Sequence, residues 1–280
     1  MEGIRLKCSL DEKQIADRLR YNPEILELQL FAEDLNHPEL MIQTIQHLKQ
    51  KGILVYLHHP MIYRGRFLDI ISSDSWMRDY YDWSCQTLAK ICKQENVLCV
   101  VHPHYSESEC SYFQDSRLRK KVRQRIEQTL ANGGEYFLWE NTVKGIFSQQ
   151  NPYLFTELIE PLNLSLCLDI SHSFIALQGS NPKLQQTLEQ AQPYATYYHV
   201  VDSMGKTHDS LPLGQGKVDW QMVKPYLQGR EYIFEIGLTD HRDCRAMIES
   251  ATFLKISKKG PSIFDGPPEA KVLIPQHFYM

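Results

Sequence analysis

The sequence predicts a single-domain α/β protein, a (β/α)8 TIM barrel, on three observations. Short apolar runs rich in β-branched and aromatic residues alternate with longer stretches of helical periodicity almost from end to end. There are eight such runs, and 280 residues is a length at which an α/β barrel forms one core. The polar side chains able to do chemistry gather where the runs stop, which in a barrel is the face that carries the site. The strict alternation argues for parallel strands joined by crossover helices, with a doubly wound sheet as the runner-up topology.

In chain order the strand candidates are IRLKCS from Ile4, ILELQL from Ile25, ILVYLHH from Ile53, VLCVVH from Val97, EYFLWEN from Glu135, LSLCLD from Leu164, TYYHVVD from Thr196 and YIFEIG from Tyr232. Helical spacing fills the intervals at 11–20, 38–51, 76–94, 116–132, 152–161, 182–192, 220–227 and 241–258. In the helix at 116–132, RLRKKVRQR places Leu118, Val122 and Ile126 on a core-facing stripe, so its cations are expected on the solvated face of an outer helix. The barrel is expected over 1–258. The Pro- and Gly-rich 259–280 should form a C-terminal extension packed on it.

Composition bounds the function. Thirty Lys+Arg against 34 Asp+Glu give a net charge of −4, which supplies no general attraction to nucleic acid or to an anionic membrane. Nucleic acid is therefore not the expected partner. Seven scattered cysteines without a CxxC pair read as reduced thiols, and there is no apolar leader or span, so a cytoplasmic protein is expected. Cys99 and Cys167 are read as small core residues.

The strand ends carry His58 and His59, His102 and His104, Glu140, Asp169 and His172, His199 and Asp202, then His208 and Glu235. Seven of the 11 histidines fall here, a concentration that points to imidazole and carboxylate ligands converging on a divalent ion. Glu235, between Ile and Gly in YIFEIG, would be buried and unpaired unless a cation met it. His59 is read as the ordinary partner of its doublet, because alternate residues of a strand face opposite ways. His102 and His172 are placed in loops.

LHHP, VVHPHY, LWENT, LCLDISHSF, YYHVVDS and LPLGQGKVDW follow one another as they do in the xylose-isomerase-like barrel superfamily, which the chain resembles over residues 4–256. That group holds sugar and sugar-phosphate isomerases and epimerases together with endonuclease IV type apurinic-site endonucleases. The resemblance to the isomerases implies Glu140, Asp169, His199 and Glu235 as ligands of a catalytic divalent ion, with Glu140 and Glu235 also moving protons. It places His172 near the substrate; His104, Asp202 and His208, at the same strand ends, are taken as further substrate-binding candidates. The resemblance to the endonucleases implies a second ion held by His58, His102 and Glu140. A third endonuclease ion would use His172 with an Asp and a His before the LGxG turn. Here those two positions hold His208 and Ser210, and serine is a poor substitute for imidazole.

The expected function is thus a divalent-metal-dependent sugar or sugar-phosphate isomerase or epimerase, working through an enediolate. Metal-dependent phosphodiester cleavage is the alternative. An Asp/Glu/His donor set suits Mn2+ or Zn2+ and tolerates Mg2+ or Co2+, one or two per chain. No loop rich in arginine and aromatics, of the kind that opens a duplex, is apparent in the sequence.

Overall fold

A computed structural model describes residues 3–103 and 112–256. His104 and Cys110 lie outside the described residues, as does the C-terminal extension at 259–280. Among the described residues, no helix is long and apolar enough to cross a membrane.

The first half of the chain runs β1 (Ile4–Ser9), α1 (Glu12–Leu19), β2 (Pro23–Gln29), α2 (Pro38–Gln50), β3 (Leu54–His58), a hairpin of β4 (Ile62–Tyr63) and β5 (Arg66–Phe67), then α3 (Ser75–Glu95). It continues through β6 (Leu98–Val101), α4 (Ser116–Ala131), β7 (Phe137–Glu140), α5 (Glu160–Leu162), β8 (Leu166–Asp169), α6 (Ile170–Ala176) and α7 (Asn181–Ala191). The last elements are β9 (Ala195–Val200), α8 (Trp220–Val223), β10 (Glu231–Phe234) and α9 (Arg245–Ile256). All strands but the hairpin pair close one parallel barrel in the order β1-β10-β9-β8-β7-β6-β3-β2. The eight expected strands are these eight.

Period-two alternation builds the barrel interior. Ile25, Tyr56, Val100, Leu138, Cys167, Tyr197 and Ile233, one from each strand except β1, form a separate buried cluster inside the barrel. Two residues further along the same strands come Glu27, His58, His102, Glu140, Asp169, His199 and Glu235. The apolar layer is therefore a plug, and it holds a polar layer at the C-terminal mouth. Outward residues such as Leu26, Leu57, Cys99 and Trp139 pack the strands on the helices.

Local rules explain most helix boundaries. Asp11 accepts from the amides of Lys13 and Gln14 at the start of α1, and Asp219 does the same for Gln221 and Met222 at α8. The stretch expected as one helix at 220–227 is α8 followed by a 3-10 turn at Lys224–Leu227, because Pro225 has no amide to donate. The stretch at 152–161 is wound mainly as a π-helix, Leu154–Ile159, ahead of Pro161.

Three expectations need correction. His172 is not in a loop: Asp169 ends β8 and at once caps α6 by accepting from the His172 amide at 2.6 Å, so His172 sits in the first turn of a helix. The cations of α4 are not simply solvated. Arg119 is buried against Glu157 at 2.7 and 3.0 Å, Lys121 donates to the Ile71 carbonyl at 2.9 Å, and Arg125 donates to the Ile70 carbonyl at 3.0 Å and pairs with Asp82. These charges fasten the helix to its neighbours. An arginine and aromatic loop does exist, in the β4–β5 hairpin, where Arg64 lies over the rings of Tyr63 and Trp76 at 5.2 and 5.5 Å. Tyr63 in turn stacks on Tyr80 of α3 at 3.7 Å, which docks the hairpin on that helix.

Candidate metal centre

Every barrel strand sends one polar side chain to the mouth. Lys7 comes from β1, Glu27 from β2, His58 from β3, His102 from just past β6, Glu140 from β7, Asp169 from β8, His199 from β9 and Glu235 from just past β10. All are buried except Glu235, whose side chain keeps 22% of its exposure and so faces the opening.

Glu140 is the hub. One oxygen meets His58 Nε2 at 3.2 Å and His102 Nε2 at 3.0 Å, and the other meets His199 Nδ1 at 3.2 Å and His172 Nδ1 at 3.4 Å. Single donor atoms of Glu140, Asp169, His199 and Glu235 lie within 4.8 Å of one another, and those of His58, His102 and Glu140 do so as well. The six residues expected as ligands are therefore brought into two adjoining groups that share Glu140.

The residues behind the ring set which atoms it offers. His199 Nε2 donates to Glu27 Oε2 at 2.8 Å, which turns Nδ1 toward Glu140, Asp169 and Glu235. His58 Nδ1 donates to the His59 carbonyl at 2.9 Å and leaves Nε2 for the centre. Such outer partners fix the tautomer of a metal-binding imidazole. Asn141 orders the Asp169 side of the ring. It accepts from the Asp169 amide at 2.8 Å, donates to Ser173 Oγ at 3.1 Å, and its own carbonyl receives His172 Nδ1 at 2.7 Å. His59 is a core residue, bonded to Ser84 Oγ at 2.8 Å and lowered by burial to a pKa of about 3.

The charges are those of a cation site. Burial opposes ionisation of Glu140, but the facing His102 and His199 outweigh it and hold the carboxyl well below the usual carboxylate range. Glu27 falls to about 2, because His199 and Lys7 overcome its burial. Glu235 also lies well below its ordinary value, held there against burial by His199 and Lys7. Asp169 goes the other way, pushed up to about 8 by burial and then by Glu140 and Glu235. Burial disfavours the His199 cation, but Cys167, Glu235, Glu27 and Glu140 around it raise its pKa well above that of free imidazole. Burial lowers His102 to about 4 in spite of Glu140.

A divalent ion fits this donor set. Asp169 Oδ2 is fully buried at the ring with no hydrogen-bond partner, a costly state that an ion would relieve. The mixture of carboxylate and imidazole donors is of the kind that binds Zn2+ or Mn2+.

Other expected site residues are placed differently. His172 and His208 meet above the ring with their Nε2 atoms 3.0 Å apart, but among the described residues no group of three donors contains the two. Ser210 packs at Gly237, to whose amide its carbonyl is bonded at 2.8 Å. Asp202 does not join the ring. Its carboxylate is taken up by the amides of Ser203, Gly214 and Val218 and by the Trp220 indole at 2.8 to 3.2 Å, which ties down the loop after β9. Sequence reading missed Lys7, Glu27 and Asn141. The signal for the first two was a charge in the middle of an apolar strand on its inward parity, the same cue that drew attention to Glu235. Glu235 does meet a fixed cation, since Lys7 contacts its Oε1.

Residues 29–255 match the sequence profile of the family described as the xylose isomerase-like TIM barrel. The chain belongs to that family. Among solved structures it is similar to a D-tagatose 3-epimerase-like protein, at TM-score 0.71 and 17% identity over 91% of this chain and 96% of the other. A protein from Thermus thermophilus whose crystals were soaked with ZnCl2 follows at 0.67, 17%, 91% and 97%. D-psicose 3-epimerase with D-tagatose, from Clostridium cellulolyticum, superposes at 0.63 and 14% identity over 91% and 97%. Identities this low carry the fold and no more. No curated protein sequence matches the chain.

Proposed function

We propose that the protein is a divalent-metal-dependent isomerase or epimerase of a sugar or sugar phosphate. The observation that carries this reading is the convergence of Glu140, Asp169, His199 and Glu235, from four strands, with donor atoms within 4.8 Å of one another and one of them an orphaned carboxylate oxygen. Epimerases among the proteins of similar fold support it. Mn2+ or Zn2+, with Mg2+ or Co2+ as substitutes, would be held by these four residues and would polarise a substrate carbonyl and its neighbouring hydroxyl.

The chain supplies the proton chemistry. Glu140 and Glu235 are both held ionised, and they enter from β7 and from the end of β10, so in this reading two carboxylates from different strands would serve the substrate carbon. One takes the carbon-bound proton and leaves an enediolate, and one returns a proton to that carbon or its neighbour. His172 and His208, whose rings meet tilted with centroids 4.8 Å apart, would hold substrate hydroxyls.

The second reading, metal-assisted cleavage of a phosphodiester, is favoured by one feature, the adjoining His58, His102 and Glu140 group that would hold another ion. A screen of ketoses and their phosphates in deuterated buffer separates the readings. Metal-dependent exchange of a carbon-bound proton, lost in Glu140→Gln, is expected. Incision of abasic-site DNA at catalytic levels, abolished by that same substitution, would replace the isomerase with the nuclease.

A further inference from the structure

Lys7 is the fixed cation of the ring, and it stands in a closed circuit. Its Nζ lies 2.9 Å from Glu27 Oε1 and touches Glu235 Oε1. The remaining oxygens of the same two carboxylates reach the two nitrogens of His199, Glu27 Oε2 to Nε2 at 2.8 Å and Glu235 Oε2 to Nδ1 at 2.7 Å. Positive and negative groups thus alternate around Lys7, Glu27, His199 and Glu235. Glu27 has donor geometry of its own, since its carboxylate, His58 and His199 offer atoms within 4.8 Å of one another. Lys7 stands against it.

We propose that Lys7 is a resident cation that limits the metal site. By engaging Glu235 Oε1 it leaves that residue a single oxygen for a divalent ion, and by engaging Glu27 it keeps that carboxylate out of the ligand set. Lys7 is a positioning residue that acts through these two carboxylates, and the assignment rests on the metal-site reading above. Its charge also repels an incoming ion. A fixed unit charge a few ångströms away, in surroundings less polar than water, changes divalent affinity by about tenfold or more.

A purely structural lysine and a limiting cation predict opposite signs. If Lys7 only buttressed the barrel, its removal would misplace Glu235 and weaken metal binding. If it limits the site, Lys7→Met, which keeps the length and removes the charge, binds Mn2+ at least about tenfold more tightly than wild type or takes up an additional equivalent. Calorimetric titration of both purified proteins with Mn2+ at one pH reads this without any substrate. Lys7→Gln, neutral but still a hydrogen-bond donor, must move in the same direction and serves if Lys7→Met does not fold. Wild-type binding with equal or weaker binding in the neutral variants overturns the role of Lys7 and leaves the metal centre standing. Absence of Mn2+, Zn2+ and Co2+ binding in wild type overturns the metal centre, and the role of Lys7 with it.

Discussion

Glu235 sits between a cation and an imidazole, and only it among the four proposed ligands is open to the mouth. Its replacement by glutamine keeps the shape, removes the charge and leaves Lys7 and His199 facing a neutral group. Glu235→Gln is expected to lose the bound ion and activity together, as metal analysis of the purified variant would show; full occupancy would take Glu235 off the ligand list. At this scale the sequence was legible wherever a chemical residue ended an apolar run, as at Glu140 and Asp169. It was silent where the deciding fact is a partner far along the chain. Asp202 reads as a site residue from its place after β9, yet its four donors come from Ser203, Gly214, Val218 and Trp220. Lys7 and Glu27 lie earlier in their strands than residues at a strand end are sought, and only closure of β1 on β10 brings Lys7 to Glu235.

Among elements, the loop after β9 shows what a short motif can specify. LPLGQG wraps the Asp202 carboxylate so closely that a Cβ on Gly216 would fall 2.2 Å from Asp202 Oδ1 and 2.5 Å from the Ser203 carbonyl. Both neighbours are held in place, so the loop itself must give. Gly216→Ala should cost about 2–4 kcal/mol in denaturant unfolding, the range for strain combined with a disturbed buried hydrogen-bond network. A loss under about 0.5 kcal/mol would mean that the loop is looser than its bonding indicates. The eight strands and most helices were readable because their periodicities differ and their caps are local. Helix α6 was not, since ISHSFIA has seven residues and follows β8 with no intervening turn. The β4–β5 hairpin escaped for a related reason. Its turn uses Arg64 and Gly65, both at positive φ, and arginine is not a residue that announces such a turn.

At the scale of the whole molecule the net charge is −4 and the α4 cations Arg119 and Arg125 are engaged by neighbouring groups, while the ring concentrates four carboxylates around one lysine. The site should therefore respond strongly to protons. At pH 7 Asp169, raised to about 8, still holds its proton, and His199 is held as imidazolium. A divalent ion needs both groups deprotonated, so binding must release about two protons and apparent affinity must rise with pH between about 6.5 and 8. Stability follows with a definite sign. A carboxyl whose folded pKa is raised stabilises the fold below its unfolded pKa and loses that contribution as pH climbs through the folded value. Metal-free protein should accordingly lose stability across this window through Asp169. Metal-loaded protein, with Asp169 already ionised, should not. His102, lowered to about 4 from the ordinary 6.5, contributes with the opposite sign, adding stability as pH rises toward 6.5, so the loss through Asp169 is read above that value. The gain in Tm on adding Zn2+ or Mn2+ is thus expected to be larger at pH 8 than at pH 6.5, and calorimetry in two buffers of different ionisation enthalpy should count the protons released. A Tm gain that is flat or falls with pH, or binding without proton release, would show that Asp169 and His199 are not both ligands.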